Sequence, residues 1–183
     1  MSKKALNISF IIILFAIVLI SALSGCRLFY ETGPDQIILH RVKITRVIDG
    51  DTAYVRFADG SEEKVRFIGV DAPEINHPTL GKEEFGPEAE VYTRTRIEGK
   101  TIWLEYDRGE RDQYDRLLAY LWLEIPEEIS DQEIRAKMFN AQLLIEGYAV
   151  QVIFEPNVKY VNYFSAYEAE ARENNKGLWG LEE

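Results

Sequence analysis

Three short runs rich in β-branched and aromatic residues open the polar-apolar pattern of the chain proper, at 37–48, 52–58 and 64–70. Asp49-Gly50 and Asp59-Gly60 separate them, and each dipeptide signals a hairpin turn. The pattern predicts a three-stranded meander. A polar loop follows from 71 to about 85. Gly86-Pro87-Glu88 then opens a helix that runs to about residue 98, with proline in its first turn and an acid beside it. Residues 100–106 and 117–123 read as a fourth and a fifth strand, on either side of a charged loop at 107–115. The acidic run 124–133 reads as a surface insertion. An amphipathic helix is expected over 134–146, an extended segment over 148–154 and a last helix over 160–174, with Leu178 and Trp179 packing back on the body. Five strands with one helix between the third and fourth match an OB-fold barrel carrying C-terminal helices. The expected fold class is therefore α+β, an OB-fold five-stranded barrel with about three helices.

The first 36 residues break this pattern. Lys3 and Lys4 precede an apolar stretch from 8 to 20 that ends in small residues, as a secretory signal does. The stretch is short for a membrane-spanning helix, which needs about 20 residues. The tetrapeptide LSGC at 23–26 resembles a bacterial lipobox, in which the signal is cut before a cysteine that is then lipidated. Cys26 is the chain's single cysteine, so it has no partner for an internal disulfide. The expected organisation is a lipoprotein signal peptide at 1–25, a lipidated Cys26 with a tether to 36, and one domain from 37 to 183. The domain would then sit outside the cytoplasm, anchored to the outer face of a bacterial membrane. A retained signal anchor is the alternative.

Hydrophobic residues make up 46% of the 183, ample for a core, but the formal net charge is −10. A field of that sign repels a polyanion at long range. Any nucleic-acid chemistry must therefore come from a local site.

The candidate site lies in VRFIGVDAPE, residues 65–74. Arg66 falls among apolar strand residues, and the run ends in Asp71-Ala72-Pro73-Glu74. Asp51, just after the first hairpin, is not required by the turn. Asp51, Asp71 and Glu74 would repel one another unless a cation lay between them, and such oxygens suit a hard ion such as Ca²⁺. Pro73 biases Ala72 toward an extended backbone, which aims the Ala72 carbonyl at the same ion. Arg66 and Arg116 then supply two guanidinium groups, which bind phosphate oxygens in bidentate fashion. His40 and His77 stand too far from any soft ligand to argue for zinc.

These stretches resemble the staphylococcal nuclease (thermonuclease) family. The likeness is carried by VIDGDT (47–52), VRFIGVDAPE (65–74), HPTLGKEEFGPEA (77–89), DQYDRLLAYLW (112–122), EGYAV (146–150), FEPN (154–157) and EAEARENNKGLWG (168–180). The resemblance implies a calcium-dependent phosphodiesterase on DNA or RNA that cleaves the P–O5′ bond and leaves 3′-phosphates. By motif match, Asp51, Asp71 and the Ala72 carbonyl would ligate Ca²⁺. Glu74 would take a proton from, or position, the attacking water. Arg66 and Arg116 would hold the scissile phosphate, with Tyr114 at the substrate. A monomer is expected. The chain departs from the family pattern at Gln113, where relatives often have lysine, and at Val152 and Phe154, where they have tyrosines. A catalytically weak OB-fold lipoprotein that binds nucleic acid or protein is the alternative function.

Overall fold

A computed structural model describes residues 37–75, 81 and 83–181. The expected signal peptide, Cys26 and the tether lie outside the described residues. Among the described residues, no helix is long and apolar enough to cross a membrane.

Strands β1 (Leu39–Val47), β2 (Thr52–Arg56) and β3 (Glu62–Phe67) form the expected antiparallel meander. A two-residue β4 (Val70–Asp71) follows, then helix α1 (Gly86–Ile97), β5 (Thr101–Glu105) and β6 (Leu117–Trp122). The barrel closes in the order β1-β2-β3-β6-β5, through antiparallel β1–β5 and β5–β6 pairs and a parallel β3–β6 pair. Inward positions such as Val42, Ile44, Val55, Val65, Phe67, Leu104 and Leu121 are almost wholly buried. Each such side chain contributes about 1.5–3 kcal/mol by leaving water. Helices α2 (Asp131–Lys137) and α3 (Phe139–Ile145), strand β7 (Val150–Gln151), helix α4 (Val161–Glu173) and a 3₁₀ turn, Gly177–Gly180, complete the fold.

Four predicted details are corrected. The run 64–70 is not one strand. It breaks at Ile68-Gly69, and β4 leaves the barrel to pair with β7. Gly69 has φ +80°, and a Cβ there would stand 2.6 Å from the Phe164 ring, so only glycine permits the bend. The Asp49-Gly50 pair, whose expected form is a tight type I′ turn, lacks the positive φ at Gly50 that this type requires. Gly50 is needed for space: a Cβ would collide with Ala72 and stand 3.0 Å from the Ala89 Cβ. The helix expected over 134–146 is two helices, broken at Met138, whose extended backbone bridges to Trp122. The acidic run 124–133 is only partly an insertion, because Ser130 caps α2 by accepting the Glu133 N–H.

One buried polar side chain ties barrel to helix. Asn140, on α3, accepts the Leu121 N–H at 2.8 Å and donates to the Ile68 carbonyl at 2.9 Å. It thereby fixes the point where the chain turns out of β3 toward β4.

Candidate active site

The bend after β3 brings two carboxylates to one guanidinium. Asp51 stands at the end of the β1–β2 turn, where Asp49 Oδ1 accepts its N–H. Its side chain is 5% exposed. Asp51 Oδ1 accepts the Thr52 hydroxyl at 2.9 Å, and Oδ2 accepts the Ala72 N–H at 2.8 Å. Oδ2 also lies 3.0 Å from Arg66 Nη1. Burial pushes the Asp51 carboxyl up to about 7, and Arg66 pulls against that rise.

Arg66 is 6% exposed and is held through both terminal nitrogens. Nη1 donates to the carbonyls of Phe67 at 3.2 Å and Val70 at 2.7 Å, and Nη2 donates to Asp71 Oδ1 at 2.6 Å. The two carbonyls belong to residues on either side of the Gly69 bend, so the guanidinium also stitches the bend shut. The Phe154 ring lies 5.4 Å from Arg66 Cζ and covers its face.

Arg116 enters β6, whose Leu117 and Leu118 pair with Val65 and Arg66. The two arginines thus ride adjacent parallel strands. Asp112 aims the second one, accepting Arg116 Nε at 2.6 Å and its backbone N–H at 3.0 Å. Burial raises the Asp112 carboxyl, but these bonds and the Tyr114 N–H outweigh it and hold the group below its usual range. Tyr114 is 71% exposed, with Arg116 Cζ 5.5 Å from its ring centre. The loop behind them is pinned by Asn157, which accepts the Gly109 N–H at 2.7 Å and donates to the Gly109 carbonyl at 2.9 Å.

Glu74 stands apart. It is exposed, and its side chain makes no hydrogen bond among the described residues. Its backbone is held firmly. Its N–H donates to Glu83 Oε2 and its carbonyl accepts the Glu83 N–H, both at 2.9 Å. The structure therefore joins Asp51, Asp71, Arg66 and the Ala72 peptide, and does not bring Glu74 or Arg116 into contact with them. Among the described residues, no three acidic or imidazole side chains group closely enough to hold an ion by themselves.

The cluster nonetheless fits a hard cation. Two carboxylates from separate elements already converge on one positive centre, and a peptide bonded to one of them adjoins. Such oxygen donors match calcium chemistry.

Sequence reasoning missed Thr52, Glu83, Asp112 and Asn157 as holders of the site, and it treated Phe154 only as a departure. For Asp112 the signal was present, in an acid four residues before an arginine at a strand entrance.

A closed OB barrel with paired acids and arginines at one end defines a staphylococcal-nuclease-like domain. The family model described as "Staphylococcal nuclease homologue" matches residues 64–180, and the chain belongs to that family. It is 33% identical to the thermonuclease of Staphylococcus hyicus over 178 residues, covering 96% of this chain and 98% of that protein. It is 37% identical to the thermonuclease of Staphylococcus intermedius over 136 residues, 74% of each. It is 34% identical to endonuclease YncB of Bacillus subtilis (strain 168) over 143 residues, 77% of this chain and 62% of that protein.

Proposed function

We propose that the protein is a calcium-dependent nuclease that hydrolyses phosphodiester bonds of DNA or RNA outside the cytoplasm, tethered to a bacterial membrane through Cys26. One observation carries the catalytic part: Arg66 Nη1 and Nη2 lie 3.0 and 2.6 Å from Asp51 and Asp71. A purely structural ion pair needs one carboxylate, whereas this site gathers two.

Asp51, Asp71 and the Ala72 carbonyl would hold Ca²⁺, which supplies Lewis-acid polarisation and charge neutralisation when bound. Arg66 and Arg116 neutralise the extra negative charge of the five-coordinate phosphorus transition state. Their geometry is set in advance by the Phe67 and Val70 carbonyls and by Asp112. Glu74 receives a proton from the attacking water, and Glu83 holds the peptide that carries it. General-base help of this kind is worth roughly 10²–10⁴ in rate. The leaving oxygen is the 5′ oxygen, so the product ends in a 3′-phosphate. The lipobox-like LSGC and the positive apolar leader support the tethered, extracytoplasmic placement. The names of the relatives support the substrate class.

The test is end-group analysis of a cleaved oligonucleotide. Fragments with 3′-phosphate and 5′-hydroxyl ends, formed with calcium and not with EDTA, support the assignment. 5′-Phosphate ends, or equal cleavage in EDTA, would overturn it.

A further inference from the structure

The acidity of the chain is not spread evenly. Cross-strand partners in a ladder point to the same face, so the register assigns the outer face of β1–β2–β3. Lys43 pairs Arg56, Arg46 pairs Tyr54, Tyr54 pairs Lys64, and Arg56 pairs Glu62. Arg41 is the next outward position on β1 beyond Lys43, opposite Trp103. In a protein of formal charge −10, the outward positions of these three strands carry Arg41, Lys43, Arg46, Arg56 and Lys64 against one acid, Glu62. Arg41, Lys43, Arg46 and Arg56 are exposed, and Lys64 is half-buried. Glu62 pairs with Arg56 at 3.4 Å and accepts the Thr45 hydroxyl at 2.6 Å. Arg41, Lys43, Arg46 and Lys64 form no salt bridge among the described residues. The Arg46 guanidinium stands 4.8 Å from the centre of the Tyr54 ring.

The same ladder leads to the site, where the residues in outward register, Thr52 and Arg66, are themselves buried. Arg66 pairs Thr52 in the same ladder, two positions beyond the Tyr54–Lys64 pair and on the same face. Successive outward positions lie about 6.6–6.8 Å apart along a strand, and neighbouring strands about 4.8 Å apart. A row of cations with a half-buried tyrosine among them therefore leads away from the arginine that would hold the scissile phosphate.

Resting on the nuclease reading, we infer that the outer face of β1–β2–β3 is a binding track for the single-stranded nucleic acid that flanks the cleaved phosphate. Phosphates meet Lys64, Arg46, Lys43 and Arg41 in turn, and a base stacks at Tyr54. Stacking platforms beside cationic grooves hold single strands without sequence preference, and OB-folds use the strand 2–3 face for oligonucleotides. The track offsets the repulsion that the remaining acidic surface exerts on a polyanion. The same charge suits an anionic lipid surface, but its place on the ladder that runs to Arg66 favours the nucleic acid.

The test sets the full-length protein beside a Lys43→Ala/Arg46→Ala double variant. Binding of a fluorescein-labelled oligothymidylate is read by anisotropy in EDTA across a salt series. Cleavage in calcium is read on that oligothymidylate and on a nitrophenyl ester of one thymidine nucleotide. The variant is expected to bind the oligothymidylate about tenfold more weakly at low salt, with a log K against log salt slope shallower by about 1.4, since each lost single-strand contact removes about 0.7. Its kcat/KM on the oligothymidylate falls about tenfold further than on the ester. Equal affinity and slope in the two proteins, or parallel losses on both substrates, would overturn the track. So would a variant that loses flotation with phosphatidylglycerol vesicles but keeps its oligothymidylate affinity. If the parent protein cleaves neither substrate, the nuclease reading fails, and the anisotropy series still decides the track.

Discussion

Phe154 lies across the guanidinium of Arg66, its ring centre 5.4 Å from Cζ. The ring shields from water an ion pair that already has two carboxylate partners, and desolvated cation–π contacts are worth about 2 kcal/mol. Phe154→Ala is expected to lower kcat/KM on DNA by about tenfold while the circular dichroism stays native, and Phe154→Tyr to restore most of it. A native rate in the alanine variant would reduce the ring to a lid with no role.

Asp112 orients Arg116 through two hydrogen bonds. Asp112→Asn weakens the charge-assisted bond to Nε and is expected to lower kcat/KM by about tenfold, with a small change in Tm. The pH dependence has a definite sign. A carboxyl held below its unfolded value, about 3.9, lends stability that is complete above that value and fades as pH falls through the folded one. The stability gap between parent and variant should therefore be flat from pH 8 to 5 and close below about pH 4. Urea melts at each pH check this, and a gap that widens in acid would contradict it.

Gly50 has no room for a side chain, because a Cβ would meet both Ala72 and Ala89. Gly50→Ala must push the Asp51 turn away from the Ala72 peptide. Overpacking of this kind costs about 1–3 kcal/mol, or roughly 2–12 °C in Tm for a domain of this size. Calorimetry should show that loss together with reduced cleavage. Unchanged Tm and activity would mean that the turn yields freely.

Cys26→Ser is expected to move the protein from the membrane fraction to the soluble extracytoplasmic fraction. Unchanged fractionation would favour a retained signal anchor.

Much of the barrel was legible because its strands are short apolar runs punctuated by Asp-Gly pairs, and because Gly86-Pro87-Glu88 marks a helix start. The break at Met138 was not, since apolar residues run through it at helical spacing. Only the bridge to Trp122 on a distant strand pulls that backbone straight. Gly69 hides inside an apolar run for a similar reason: the Phe164 ring that forbids a side chain there comes from α4, far along the chain. Within the site, Asp51, Asp71 and Arg66 were recognisable as charges where a strand end has no use for them. Asn157 and Glu83 were not, because their partners, Gly109 and the Glu74 peptide, carry no side-chain signal. The basic outer face was hidden by the overall acidity and emerges only when the strand register sorts inward from outward positions.

The central claim is that two aspartates hold calcium beside two phosphate-binding arginines. A gel assay of the purified protein on single- and double-stranded DNA, with calcium, magnesium or EDTA and beside Arg116→Ala, tests it most directly. The account predicts cleavage with calcium, none in EDTA, and a loss of about 10²–10³ in rate for the variant, the size expected when one transition-state charge partner is removed. Undiminished cleavage in EDTA, a native rate in Arg116→Ala, or no cleavage by the folded parent under any of these conditions would contradict it.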